Sequence, residues 1–138
     1  MKKSALTLVG ALSLLLVAGS AFAQSTDVRA NVPFDFVVNK TTLPSGSYQI
    51  LKVGAGDNTI VIRGMNIKAA KVVGTIPDQA NQASGKTKLV FHRYGNRYFL
   101  SQIWVEGSDR VRNLPKTELE SEVALDYTSQ DVVLYASR

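Results

Sequence analysis

The stretch from Lys86 to Glu106 constrains the fold of this chain more than any other. It predicts two β-strands joined at Gly95-Asn96, a two-residue connection of the kind that β-hairpins favour. With that loop, Tyr94 faces Arg97. In a regular antiparallel register, each further residue before Tyr94 then pairs with the next residue after Arg97. Both faces of the predicted hairpin are largely apolar near the middle, so neither can simply face water. We therefore expect the hairpin to lie at the centre of the fold.

This register gives each face of the hairpin a defined set of side chains. One face is expected to carry Leu89, Phe91, Arg93, Tyr98, Leu100, Gln102 and Trp104. The other is expected to carry Val90, His92, Tyr94, Arg97, Phe99, Ser101, Ile103 and Val105.

The first 23 residues have the three-part layout of a secretory signal peptide. Lys2 and Lys3 precede an apolar run at residues 5–18, and the small-x-small triplet Ala21-Phe22-Ala23 follows. The run is shorter than the roughly 20 residues that span a bilayer, which argues against a membrane anchor. We therefore predict export to the periplasm or the medium, cleavage after Ala23, and a single β domain at residues 24–138.

The composition limits how the domain is stabilised and which cofactors it can hold. The chain has no Cys and one His, so it must fold without disulfides, and a zinc site would need three or more carboxylates. Gly54-Ala55-Gly56 lacks the helix and the Lys that a phosphate cradle requires. We predict no metal and no cofactor. Basic residues concentrate between 40 and 97 and acidic ones between 106 and 131, which suggests a basic and an acidic surface.

Alternating apolar and polar residues predict a series of short strands. The clearest signal spans residues 28–38, where Pro33 marks an edge or a bulge. At residues 117–125, Thr117 and Glu120 fit a capping box that favours a short helix, although the alternation there also fits a strand. Further strands are predicted at residues 48–53, 59–63, 67–76, 110–113 and 131–136. The expected fold is all-β, a small antiparallel barrel or sandwich of about seven or eight strands with one short helix near the C-terminus.

Three groups of segments resemble a family of small, uncharacterised exported bacterial β-proteins, and the likeness covers most of the chain after the predicted leader. They are Val32-Pro33-Phe34-Asp35-Phe36 leading to Leu43-Pro44-Ser45-Gly46-Ser47-Tyr48, Phe91-His92-Arg93-Tyr94-Gly95 with Tyr98-Phe99-Leu100-Ser101-Gln102-Ile103-Trp104, and Leu114-Pro115-Lys116. The resemblance implies export and a compact β domain. It implies no catalytic residue, cofactor or substrate.

His92 and Ser101 are the candidates for chemistry. In the predicted register His92 lies opposite Phe99 and diagonal to Ser101, so the pair could act as the base and the nucleophile of a hydrolase. The hairpin offers no orienting carboxylate except Glu106 at its far end. The alternative is a His packed beside aromatic rings, and we favour the hypothesis that the protein is not an enzyme.

Basic and aromatic residues near the hairpin tip predict a binding surface. Aromatic rings stack on sugars, and Tyr, Trp and Arg dominate protein interfaces. The alternative is that the Arg side chains simply cover aromatic faces by cation–π contact. Nucleic acid is not expected because the chain has an export signal. The candidate binding residues are His92, Arg93, Tyr94, Arg97, Tyr98 and Trp104.

The leading prediction is an exported, soluble, non-catalytic β domain that serves the cell envelope as a binding or structural module. Its expected partner is an envelope protein or a polysaccharide, and it is not expected to be an integral membrane protein. The alternative is a ligand carrier, a small barrel that holds an apolar ligand in its interior. The residues that would line this interior are Phe34, Phe36, Phe91, Leu100 and Trp104.

Overall fold

The computed structural model describes residues 27–54, 56 and 58–137, and the predicted leader lies outside them. Within these residues no helix has the length and hydrophobicity needed to cross a bilayer. The described elements are the strands β1 (Asp27–Val32), β2 (Phe36–Val38), β3 (Thr41–Leu43), β4 (Gly46–Lys52), β5 (Thr59–Gly64), β6 (Ala70–Gly74), β7 (Ile76–Gln79), β8 (Lys88–Tyr94), β9 (Arg97–Trp104), β10 (Arg110–Asn113) and β11 (Ser129–Tyr135), and the helix α1 (Glu118–Asp126).

The strands form two sheets that do not close into a barrel. The first sheet has the antiparallel order β1-β4-β5-β6, and the second has the order β11-β8-β9-β10-β7. Strand β9 pairs with β10 at one end and, through Val37 and Phe99, with β2 in parallel at the other. Strand β3 extends this edge by pairing with β2. The fold is therefore a β-sandwich, one of the two architectures that the sequence predicts.

The core lies between the two sheets. Every second residue of β1 is buried, as expected for a strand with one face on a core. Phe36 lies edge-on to Tyr48 and to Phe91, with ring centroids 5.1 and 5.7 Å apart. The main buried cluster is Val28, Ala30, Val32, Phe36, Val38, Leu43, Tyr48, Ile50, Ile60, Ile62, Val73, Leu89, Phe91, Leu100 and Ile103.

Two segments predicted as single strands are each split between the sheets. Residues 28–38 form β1 in the first sheet and β2 in the second, with the break at Pro33–Asp35. Pro33 has no backbone N–H to donate to a ladder, so the pairing ends there. Residues 67–76 likewise contain β6 in the first sheet and the start of β7 in the second, and Thr75 lies between them. These splits raise the number of strands above the predicted seven or eight.

The hairpin of β8 and β9 contains a β-bulge at Ser101. The two-residue loop and the predicted pairs are confirmed from Tyr94↔Arg97 to Phe91↔Leu100. The next pair is Val90↔Gln102, so Ser101 is an extra residue on β9 without a partner on β8.

The bulge reverses part of the predicted division between the two faces. Beyond Ser101, Ile103 pairs with Leu89 and both are core residues, whereas Trp104 pairs with Lys88. The prediction was therefore wrong for the four residues after the bulge, because it assumed a constant register. Ile103 and Val105 lie on the core face, and Gln102 and Trp104 lie on the opposite, outer face of the second sheet.

The preference for a helix near the C-terminus is confirmed. The Thr117 side chain caps the helix by accepting a hydrogen bond from the backbone N–H of Glu120 at 3.4 Å. Leu119, Val123 and Ala124 pack against a second, smaller buried cluster of Val37, Tyr94 and Phe99. The helix therefore covers part of the outer face of the second sheet and adds a third layer to the sandwich.

Truncating the centre of the core should cost far more than truncating an exposed strand residue. Phe91 is fully buried, whereas Val72 on β6 is 57% exposed. We expect Phe91→Ala to lower the free energy of unfolding by about 3–5 kcal/mol and Val72→Ala to change it by less than about 0.5 kcal/mol. Urea unfolding followed by tryptophan fluorescence measures both variants. Equal effects would contradict this packing.

Candidate functional site

The outer face of the second sheet contains a polar cluster built from β8, β9 and α1. Glu120 Oε2 lies 3.0 Å from His92 Nδ1 and accepts a hydrogen bond of 2.8 Å from the hydroxyl of Tyr94. On the other side of the imidazole, Ser101 Oγ lies 3.2 Å from His92 Nε2. The sheet and the helix thus bring a serine, an imidazole and a carboxylate into one line.

The hydrogen-bond partners determine which nitrogen of the neutral His92 ring holds the proton. An ionised carboxylate can only accept, so Nδ1 donates to Glu120. Nε2 then has a free lone pair and accepts the hydrogen bond that the Ser101 hydroxyl donates. This tautomer is the one in which an imidazole can take a proton from a hydroxyl group.

Glu120 and Tyr94 are the two buried members of the polar cluster. Glu120 is 6% exposed, and a charged group of this kind is costly to bury unless its oxygens are bonded. His92 and Tyr94 both bond to one of these oxygens, Oε2. Burial, followed by the hydrogen bond to Glu120 and the charge of that carboxylate, raises the pKa of Tyr94 to about 12.

His92 links the buried side of the cluster to solvent, because its side chain is 33% exposed. A second carboxylate, Asp131 on β11, lies beyond it with Oδ1 3.7 Å from Nε2 and a side chain that is 70% exposed. This distance is too long for a hydrogen bond. Glu120 and Asp131 approach opposite nitrogens of the His92 ring. The described residues contain no group of three or more acidic or His side chains arranged to hold a metal ion.

The predicted binding residues of the hairpin tip are divided between the two faces of the sheet. Tyr98 stacks on Phe34 with ring centroids 3.7 Å apart, and the Arg93 guanidinium lies 5.6 Å from the Tyr98 centroid. On the outer face Tyr94 is only 3% exposed, and the Arg97 guanidinium lies 5.7 Å from the Phe99 centroid. Both arginines therefore cover aromatic rings, as in the alternative interpretation.

Trp104, the remaining candidate, is half-buried on the outer face, away from the buried cluster on which the helix packs. Lys88 pairs with Trp104 on β9 and with Tyr135 on β11, so these three residues cross the sheet side by side. The Lys88 amine lies 4.8 Å from the Trp104 ring centroid, and the Lys86 amine lies 4.9 Å from that of Tyr135. Tyr135 is 62% exposed. We refer to Tyr135, Lys88 and Trp104 as the aromatic row.

A cleft of about 220 Å³ opens beside the N-terminus of α1. Thr117, Glu120 and Phe99 line it together with residues of β2 and β6, whereas His92 and Ser101 do not. The cleft therefore contacts Glu120 but neither His92 nor Ser101.

Glu120 is the site residue that the sequence interpretation missed. The sequence interpretation considers an orienting carboxylate only within the hairpin and places Glu120 in the capping box. A signal was present in the helix itself. Glu120 is three and four residues before Val123 and Ala124, so it shares their sheet-facing side. An acid on that side needs a polar partner on the sheet.

The comparisons with known proteins give no relative: no protein-family model, no curated protein and no solved structure matches the chain.

Removing the Glu120 carboxylate should loosen the helix from the sheet. We expect Glu120→Ala to lower the free energy of unfolding by about 1–3 kcal/mol, because it leaves the buried Tyr94 hydroxyl without its acceptor. Glu122→Ala, on the same helix but exposed, is the matched control, with an expected change below about 0.5 kcal/mol. Urea unfolding measures both. A loss that is the same in the two variants would exclude a special role for Glu120.

The raised pKa of Tyr94 predicts a loss of stability in alkali. Above its ordinary pKa of about 10, the unfolded chain releases the Tyr94 proton while the folded chain retains it until about pH 12. The unfolded state then binds fewer protons, so the free energy of unfolding falls as the pH rises across this window. Tyr94→Phe should show a shallower fall in the free energy of unfolding, measured by urea, between about pH 10 and pH 12. Part of the pH dependence of the free energy of unfolding should remain in this variant, because burial also raises the pKa of Tyr48. Identical slopes in the two proteins would be the contrary result.

Proposed function

We propose that the protein is an exported β-sandwich module that binds an anionic polysaccharide of the cell envelope through the aromatic row. The observation that carries the proposal is the alignment of Tyr135, Lys88 and Trp104 across three neighbouring strands. Export is supported by the layout of the first 23 residues.

The chemistry of the aromatic row suits a charged sugar chain. Tyr135 and Trp104 are separated by two strand spacings, roughly 10 Å, so one extended glycan can contact both rings. Aromatic rings offer flat apolar faces to the C–H groups of sugars while their polar atoms remain hydrated. Lys86 and Lys88 place two ammonium groups beside the rings, where they can pair with carboxylate or sulfate groups of the polymer.

The other binding hypotheses have less support. The aromatic residues proposed to line an apolar cavity pack on one another instead: Phe34 lies edge-on to Phe91 at 5.0 Å, and Phe91 lies edge-on to Phe36. Trp104, the fifth proposed lining residue, lies on the outer face. At the hairpin tip, the exposed arginines cover rings that are themselves packed in the fold. In the aromatic row, Tyr135 is 62% exposed and Trp104 is half-buried, so part of its aromatic surface is accessible.

Binding to a charged polymer should depend on the aromatic row and not on exposed tyrosines or lysines in general. We expect Tyr135→Ala and Lys88→Glu each to weaken binding to polygalacturonate by about fivefold or more, the loss of a contact worth about 1 kcal/mol. Affinity electrophoresis in gels that contain polygalacturonate measures this. Neutral dextran in the gel tests whether charge is needed.

Two matched variants serve as controls for these changes. Tyr127 is 55% exposed at the end of α1, and Lys68 is exposed near the start of β6. Tyr127→Ala and Lys68→Glu should bind as the parent protein does. If all four variants bind alike, or if the parent protein is not retarded by polygalacturonate at all, the proposal fails. Capture of an envelope protein through the aromatic row would replace the polysaccharide with a protein partner.

A further inference from the structure

The bulge on β9 gives Ser101 an environment unlike that of the other residues on the strand. Its neighbours Leu100 and Gln102 pair with Phe91 and Val90, whereas Ser101 has no partner on β8. The side chain is half-buried, and its Oγ reaches the ring of His92. Bulges re-aim side chains and are over-represented next to active sites.

We propose that Ser101 is a nucleophile, activated by His92 and Glu120, that accepts an acyl group from a carboxylic ester. The proposal goes beyond polysaccharide binding and does not depend on it. It rests on one continuous geometry: Ser101 Oγ to His92 Nε2 at 3.2 Å, and His92 Nδ1 to Glu120 Oε2 at 3.0 Å.

Each member of this arrangement has the chemistry that acyl transfer needs. Ser101 Oγ attacks the ester carbonyl carbon, and its proton passes to His92 Nε2. The imidazolium then donates that proton to the departing alkoxide, which leaves as an alcohol. In the second half of the reaction, water attacks the carbonyl carbon of the acyl-serine and gives a proton to His92 Nε2. That proton passes to Ser101 Oγ as the carboxylic acid leaves. No oxidant, reductant or metal enters the balance.

Glu120 has the role of a positioning residue. Its carboxylate fixes the Nδ1–H tautomer and stabilises the imidazolium that forms when Nε2 takes the proton. Tyr94 holds the same carboxylate oxygen from the other side at 2.8 Å, and the short helix secures its backbone. The other acid near the ring, Asp131, is largely exposed and 3.7 Å from Nε2, so it lies beside the serine and not behind the imidazole.

His92 and Ser101 are both partly exposed, so solvent reaches the serine and the imidazole. His92 is one-third exposed, and the aromatic row and the polar cluster lie on the same outer face of the second sheet. Glu120 is buried between the helix and the sheet, so its charge is shielded from water. The charge therefore acts more strongly on the imidazole of His92.

Covalent labelling with diisopropyl fluorophosphate tests the nucleophile directly. The Ser101 oxygen displaces fluoride from phosphorus, and intact-mass measurement followed by peptide mapping locates the adduct. We expect a single adduct at Ser101 in the parent protein and none at Ser121, an exposed serine on α1. Ser101→Ala should abolish labelling, and Ser121→Ala should leave it unchanged. An unlabelled parent protein, or equal labelling of the two serines, overturns the proposal.

The rate of labelling separates activation from a structural role. His92→Gln should slow it by roughly 100-fold or more, the usual contribution of a general base. Glu120→Gln keeps the side-chain shape and a hydrogen-bond acceptor for Nδ1, so circular dichroism should remain that of the parent protein while labelling slows. Asp131→Asn should label at the parent rate. Unchanged labelling in a folded His92→Gln variant, or in a folded Glu120→Gln variant, contradicts the relay. Hydrolysis of p-nitrophenyl acetate should follow the same order.

Discussion

The outer half of this molecule depends on one buried contact, the Glu120 carboxylate held by His92 and Tyr94. The helix that carries Glu120 has nine residues, too few to be stable alone in water. Its apolar contacts with the sheet are few, so the polar contact determines where the helix sits and in which orientation. A carboxylate buried without these two donors would be costly. The helix, the imidazole and the tyrosine therefore stabilise one another.

The position of the helix divides the outer face into a closed and an open part. Under the helix, Tyr94 and Phe99 are buried and act as a second core. Beyond it, Tyr135 is exposed and Trp104 is half-buried, and lysine amines lie over both rings. His92 and Ser101 lie at the boundary. A boundary between a buried wall and an open surface is where a polar group can be both ordered and accessible, which is why both proposals concern this face.

The local features of the fold follow from the sequence, and the non-local ones do not. Gly95 and Asn96 identify the hairpin loop because few residues adopt the positive φ of 63° found at Gly95. Thr117 identifies the helix start because its hydroxyl can cap the next turn. The bulge at Ser101 could not be predicted, since apolar residues on both sides of the hairpin fit either register there. Likewise, alternation at residues 28–38 shows which side chains are buried but not that the chain changes sheets at Pro33.

The candidate site shows why a correct local pattern can conceal a functional residue. Thr117 and Glu120 fit a capping box, and half of that motif forms, because the Glu120 N–H donates to the Thr117 hydroxyl. The Glu120 carboxylate could bond either to the backbone N–H at the start of its own helix or to side chains of the sheet. A solvent-exposed hydrogen bond at the helix start contributes little stability. A buried carboxylate bonded to His92 and Tyr94 gains two strong hydrogen bonds in a low dielectric. Those partners lie 28 and 26 residues away in sequence, so the choice is determined by the tertiary fold.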